Sequence, residues 1–288
     1  MSHPTVISQA PWKKTFEEHL QHIGGPSAEF YLATVTPDGQ PRVRCCIHRG
    51  FWAQLPENKH NQLPKNPAIY QSDCPVFTDD ARMEKTYHIF ATGKGKGSRE
   101  QSKSGTGGGG PVEAVYWVKD TMTQWRIRGK AWVVAADDVE GGEEAQNSGT
   151  VTVKAEVGRY MRPVGDHETK NSEWSWKNEV ENHYENLSPG MRGSFKNPPP
   201  GHPVSEGKDT QAGEDLGQKG GHLADEDLAR KNFRVVVITP EEVERVDLSD
   251  PAKARRWIYT LAEEFGGPGG NTDGKSNGTE WNETETWP

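Results

Sequence analysis

The chain has 288 residues, 34 Lys+Arg against 42 Asp+Glu, a formal net charge of −8, and only 32% hydrophobic residues. An acidic balance argues against general affinity for nucleic-acid backbones, and no apolar run approaches the roughly 18 residues that cross a bilayer as a helix. With 32 glycines and 20 prolines, half as many again as an average chain carries, a continuous core is not expected throughout; one domain over residues 1–265 is, with about 200 ordered residues, polar insertions and a disordered tail at 266–288.

In chain order, residues 11–23 predict a helix, because Pro11 suits a first turn and Trp12, Phe16, Leu20 and Ile23 make one apolar stripe before Gly24-Gly25-Pro26 stops it. Phe30 to Val35 and Arg42 to Phe51 are β-rich runs around Pro37-Asp38-Gly39, a hairpin pattern. Pro75 to Thr78 reads as a third strand and 82–92 as a helix. Residues 93–111, rich in Gly, Lys and Ser, read as a flexible insertion. Val112 to Val118 and Gln124 to Ala135 predict a second hairpin. Residues 137–150 read as an acidic loop, 174–187 as a helix, and 196–232 as mostly irregular or disordered. Phe233 to Ile238 is the strongest strand; Thr239-Pro240-Glu241-Glu242 reads as a turn, Val243 to Leu248 as another strand, and 251–264 as a helix. Strands arriving as hairpins with a few helices around them suggest an antiparallel barrel or sandwich rather than a βαβ alternation.

Three basic clusters fall on or beside strands: Arg42, Arg44 and Arg49; Arg82 and Lys85; and Arg126, Arg128 and Lys130. In an acidic chain such clusters either build a local anion site, for which the guanidinium fork is suited, or face solvent. The Gly-Lys-Gly-Lys-Gly-Ser run at 93–98 lacks phosphate-loop spacing and reads as a solvated linker. The sequence carries no GxSxG and no HExxH pattern, and its carboxylates fall mostly in acidic loops, so neither a nucleophile, a metal site nor a general base is picked out. Cys45, Cys46 and Cys74 support no disulfide framework. They read as reduced thiols of an intracellular protein, cytoplasmic with the nucleus also open, in keeping with a start that has no secretory pattern.

In order and spacing, these segments resemble the pyridoxamine 5′-phosphate oxidase-like FMN-binding split-barrel family, in particular its uncharacterised cyanobacterial and fungal subgroup. The resemblance rests on Ala33-Thr34-Val35, Pro37-Asp38-Gly39, Arg44 and Arg49-Gly50-Phe51; then Phe77-Thr78-Asp79 with Arg82 and Lys85; then Gln124-Trp125-Arg126; and finally Leu187-Ser188-Pro189, Phe233-Arg234-Val235 and Arg255-Arg256-Trp257.

The resemblance implies a mainly β fold with flanking helices, a six-stranded antiparallel split β-barrel, and a homodimer with FMN at its interface. It implies that Arg44 and Arg49 grip the FMN phosphate, with Arg82 and Lys85 as a second basic pair. Phe77 and Thr78 would touch the flavin and ribityl through backbone and hydroxyl. Gln124 would face the ring with Arg126 near it, and Arg255 or Arg256 would be the late arginine of the site. Residues 44 and 49 face opposite sides of a regular strand, so both reach one phosphate only through a break near His48-Arg49-Gly50. The family's terminal Arg-x-His pattern is missing from Ala252-Lys253-Ala254-Arg255-Arg256-Trp257, which implies that pyridoxamine phosphate is not the substrate. The implied function is a flavin-dependent oxidoreductase acting on an unidentified small molecule. The alternative is a non-catalytic binder of flavin, haem or a tetrapyrrole on the same barrel.

Overall fold

The computed structural model describes residues 5–6, 8–140, 147–164, 174–203, 223–262 and 278–288. Six strands close a barrel: β1 (Glu29–Val35), β2 (Pro41–Phe51), β3 (Pro75–Asp80), β4 (Gly107–Val118), β5 (Thr123–Val134) and β6 (Phe233–Asp247). Going round, β6 pairs with β3, β3 with β2, β2 with β1, β1 with β4, β4 with β5, and β5 with β6, all antiparallel. The order puts β2 and β5 on opposite sides of the barrel.

The two hairpins anticipated from Pro37-Asp38-Gly39 and from residues 119–121 are β1–β2 and β4–β5. Inward residues fill the lumen with Phe30, Leu32, Phe77, Tyr116, Trp125, Ile127 and Val236. Helix α1 (Lys13–Gln21) plugs the barrel: Phe16 sets its ring 4.9 Å from Tyr116 and 5.3 Å from Trp125. Helix α2 (Glu84–Ala91) contributes Ile89 and Phe90 to the same core. A second core lies outside the barrel. There Val76, Val134, Val235 and Val237 meet α4 (Ser148–Gly158), α5 (Trp176–Glu185) and Phe195, just past α6 (Pro189–Ser194). Strand β6 is therefore buried on both faces over residues 233–238, which is why it reads as an unbroken apolar run.

Several local expectations change in the folded chain. Thr239-Pro240 is not a turn, because β6 runs straight through it. The ladder to β5 shifts register at Gly129, which faces Pro240, and a Cβ on Gly129 would sit 2.0 Å from the Thr239 carbonyl oxygen. A bulge thus absorbs the proline's missing N–H. Residues 251–264 hold a strand, β7 (Arg255–Leu261), not a helix. It completes the edge of the outer half of β6 and lays Trp257 3.7 Å beneath the Arg245 guanidinium. The run at 93–111 contains α3 (Arg99–Ser104), opened by a Ser98–Gln101 capping box, and the start of β4. Its glycines permit close approach. A Cβ at Gly110 would meet the Ile89 carbonyl oxygen at 2.6 Å, and one at Gly109 (φ +86) would enter the Trp132 ring. Residues 148–158, partly expected as loop, form α4, and α7 (Leu223–Asn232) leads directly into β6. In the segment expected as a loose tail, β8 (Trp281–Thr286) pairs along β7, and Trp281 packs edge-on to Trp12 at 5.8 Å; residues 263–277 lie outside the described residues. No helix among the described residues is long and apolar enough to cross a membrane.

Candidate flavin site

The basic residues singled out from the sequence fall into two electrostatic groups. Arg44 and Arg49 have no carboxylate partner among the described residues; Arg82, Lys85, Arg126 and Arg256 all do.

Arg44 lies opposite Leu32 on the lumen side of β2, at the barrel's end. Its Nη1 donates to the Leu32 carbonyl at 3.0 Å, the Thr34 hydroxyl at 2.8 Å and the Arg42 carbonyl at 3.0 Å. Thr34 in turn contacts His88 Nδ1 at 3.0 Å. Every acceptor is neutral, and burial lowers the Arg44 pKa. Arg49 sits on the other side of β2. The expected break is present, a register shift between His48 and Phe51 that spans Arg49 and Gly50 (φ +99), but it does not turn the Arg49 side chain inward. Arg49 extends outward to Met191, its Nη2 3.6 Å from the sulfur. Its Nε is buried without an acceptor, and burial alone lowers its pKa. In one chain the two arginines therefore occupy opposite faces of one strand.

Thr78 shares the outward side of β3 with Val76, next to the outward face of β2. Phe77 points into the lumen, buried, with its ring 5.8 Å from Phe30, so it offers the outward face only its backbone.

The second group is internally neutralised. Arg82 is held bidentately by Asp80 at 2.6 and 2.9 Å and also donates to the Phe195 and Asn197 carbonyls. Lys85 lies 2.6 Å from Asp79, whose buried carboxyl is pushed up by desolvation while Lys85 pulls it down. Arg126 donates to Glu113 at 2.5 Å and lies 3.4 Å from Glu244, which also accepts from Arg256. Arg255 reaches Glu285 on β8. Gln124 faces outward on β5 opposite Trp117, with Arg126 two residues on, opposite Val115.

Sequence reasoning did not single out Thr34, His88 and Met191, the groups that position Arg44 and Arg49. Strand parity could have placed Thr34 beside Arg44; Met191 and His88 come from helices whose docking no local pattern reports. It also did not single out the outward face of β1, β2 and β4, where Tyr31 (53% exposed), Val43 (69%) and Trp117 (40%) make an apolar surface with Cys45. All three cysteines are free, and burial raises Cys46 to about 11, so that thiol is no nucleophile. Among the described residues no group of three His, Cys, Asp or Glu side chains could hold a metal ion.

The closed six-stranded antiparallel barrel with flanking helices is the split-barrel fold, and the comparisons with known proteins agree with it. Residues 9–135 match the model of the family described as pyridoxamine 5′-phosphate oxidase, FMN-binding domain. The likeness to that family spans α1 and strands β1 to β5. Among solved structures it is similar to a pyridoxamine 5′-phosphate oxidase-related, FMN-binding protein from Nostoc punctiforme PCC 73102, with 18% identity, a TM-score of 0.53, and coverage of 98% of this chain and 100% of that one. It also aligns with PhzG from Burkholderia lata 383 in complex with tetrahydrophenazine-1-carboxylic acid, at 13% identity and a TM-score of 0.36, over 99% of this chain and 100% of that one. No curated protein matches the chain.

Proposed function

We propose that the protein binds FMN between two copies of itself and acts as an FMN-dependent oxidoreductase on a small molecule. The observation that carries this reading is Arg49. A guanidinium whose Nε is buried without an acceptor, and which has no carboxylate partner among the described residues, leaves a positive charge unneutralised on the outward face of β2, the strand that pairs with Thr78's strand β3. A phosphate oxygen supplies the missing acceptor and charge. FMN, when bound, supplies the electron transfer. The chain's own groups anchor the phosphate through Arg49, order the ribityl through Thr78, and hold ring oxygens or nitrogens through Gln124 and Arg126.

Strand order supports the second copy. Arg49 and Thr78 leave the barrel from β2 and β3, whereas Gln124 and Arg126 leave it from β5, on the opposite side. Outward groups on opposite walls of one barrel cannot touch one ligand, but a two-fold axis brings one copy's β2 face to the other's β5 face. The exposed Tyr31, Val43 and Trp117 lie between them on β1, β2 and β4, as an isologous contact requires.

The test is direct. Purified protein should be yellow, release FMN on denaturation, and run as a dimer. Arg49→Met should lose FMN while keeping its fold by circular dichroism. Colourless protein that takes up no added FMN refutes the reading. Bound flavin that NAD(P)H does not reduce, whatever acceptor is added, leaves a flavin carrier and removes the oxidoreductase.

A further inference from the structure

A cavity of about 170 Å³ opens where the end of α3, the middle of α5, the end of α7 and the start of β6 converge. It shares no lining residue with the flavin site. Its deepest polar group is Arg234, 3% exposed. The Arg234 Nη1 donates to the Lys231 carbonyl at 2.8 Å and the Phe233 carbonyl at 2.7 Å, and its Nη2 donates to the Lys103 carbonyl at 2.8 Å. Its Nε has no acceptor. Three peptide oxygens fix the guanidinium without neutralising it.

Carboxylates lie around Arg234, but none is paired with it. Asp79 is taken by Lys85 and Asp80 by Arg82, while Asp138 accepts from the Thr106 amide. Asp137 lines the cavity itself. The other charges of the lining are partly spoken for. Arg230 is held by Glu185 and Glu226, and Glu181 lies 3.9 Å from Lys177. Over the lining itself, Lys103, Arg230, Lys231 and Arg234 stand against Asp137 and Glu181, an excess of two positive charges in a chain whose net charge is −8. Tyr184 and Phe233, ring centroids 5.2 Å apart, form an apolar wall beside them.

We propose that this cavity is an anion site for a small phosphorylated metabolite. A phosphate monoester dianion matches the excess charge. Its oxygens accept from the Lys103 and Lys231 ammonium groups with the Arg234 charge behind them, and its short carbon portion lies against Tyr184 and Phe233. A 170 Å³ space admits a molecule of a few carbons, not a flavin.

Inorganic phosphate is the probe, titrated calorimetrically and by ³¹P line broadening into the full chain saturated with FMN, in phosphate-free buffer, so that the flavin occupies the Arg49 site. One saturable site per chain is expected near or below about 1 mM. The double substitution Lys103→Gln, Lys231→Gln touches only exposed ammonium groups, so it tests the site without unfolding the chain. It should weaken binding at least about tenfold, the scale of one lost charged hydrogen bond. Arg234→Met should abolish binding, and Arg49→Met should leave it unchanged. The proposal is overturned by absence of saturation, by wild-type binding in the lysine double variant, or by loss of binding in Arg49→Met, which would assign the phosphate to the flavin site. Because Arg49→Met and the lysine variant report separately, failure here leaves the flavin reading standing, and the converse holds.

Discussion

The outward face of β2 and the outward face of β5 both carry arginine, yet only one is free to receive an anion. On β5, Arg126 is clasped by Glu113 and Glu244, and Glu244 also holds Arg256 from β7. On β2, Arg49 meets a methionine sulfur and nothing acidic. Counting cations along a strand therefore says little about where a phosphate settles. The carboxylates that tertiary structure brings alongside decide it, because a neutralised guanidinium has only residual attraction for an anion while an unneutralised one in a partly desolvated position gains from it.

The largest effect that sharpens this contrast is on stability. Lys85→Met would strand the buried Asp79 carboxylate, costing about 3–5 kcal/mol. Chemical denaturation should show the loss, and the fraction that remains folded should keep more of its FMN than Arg49→Met does. Equal loss of FMN in both variants would erase the distinction between the two groups.

Next comes cofactor affinity. Arg49→Met should raise the FMN dissociation constant about 10- to 100-fold, the equivalent of one charge-assisted hydrogen bond at about 1.5–3 kcal/mol. Fluorescence titration of apo-protein measures it, and an unchanged constant would move the phosphate elsewhere.

Acid should destabilise the fold by a comparable amount. Burial pushes His48 and His183 down to about 3, while an unfolded histidine titrates near 6.5. Below pH 6.5 the unfolded chain takes protons that the native chain refuses, so stability falls, by about 2 kcal/mol for each histidine between pH 7 and 5. Glu179 opposes this. Burial raises it to about 7, so the native state gains a proton over the same window and recovers a similar amount. The net loss is about one histidine's worth, and Glu179→Gln should roughly double it. Melting temperatures at pH 7, 6 and 5 give the comparison; parallel curves for the two proteins would contradict the assignment.

The smallest effect belongs to Arg128, 61% exposed and paired with Glu242 at 3.0 Å. Arg128→Ala should change stability by less than about 1 kcal/mol and leave FMN binding untouched, the control for a solvent-facing arginine on the same strand as Arg126.

Much of the barrel was legible before any coordinates. Alternation and turn residues located both hairpins and the strands at 75 and 233, since those signals are local. The strand at 255–261 and the one at 281–286 were not. Arg255-Arg256-Trp257-Ile258 is a short run compatible with either period, and β8 has no stripe of its own. Both exist because β6 outruns its barrel partner β3 and leaves an open edge. For the same reason Thr239-Pro240 looked like a turn: local chemistry reports the missing N–H, not the bulge at Gly129 across the ladder that accommodates it.

The amino-acid order alone located the two hairpins and the strands beginning at 75 and 233, and put Arg44 and Arg49 on opposite faces, because strand parity is a property of spacing. Only the closed barrel decided that Arg126 and Arg256 lose their free charge, because the neutralising carboxylates Glu113 and Glu244 arrive from neighbouring strands. Closure also set β2 against β5 on opposite walls, so that the groups proposed to grip one cofactor meet only across two copies of the chain. Contacts between segments far apart in the chain leave no periodic trace in either one.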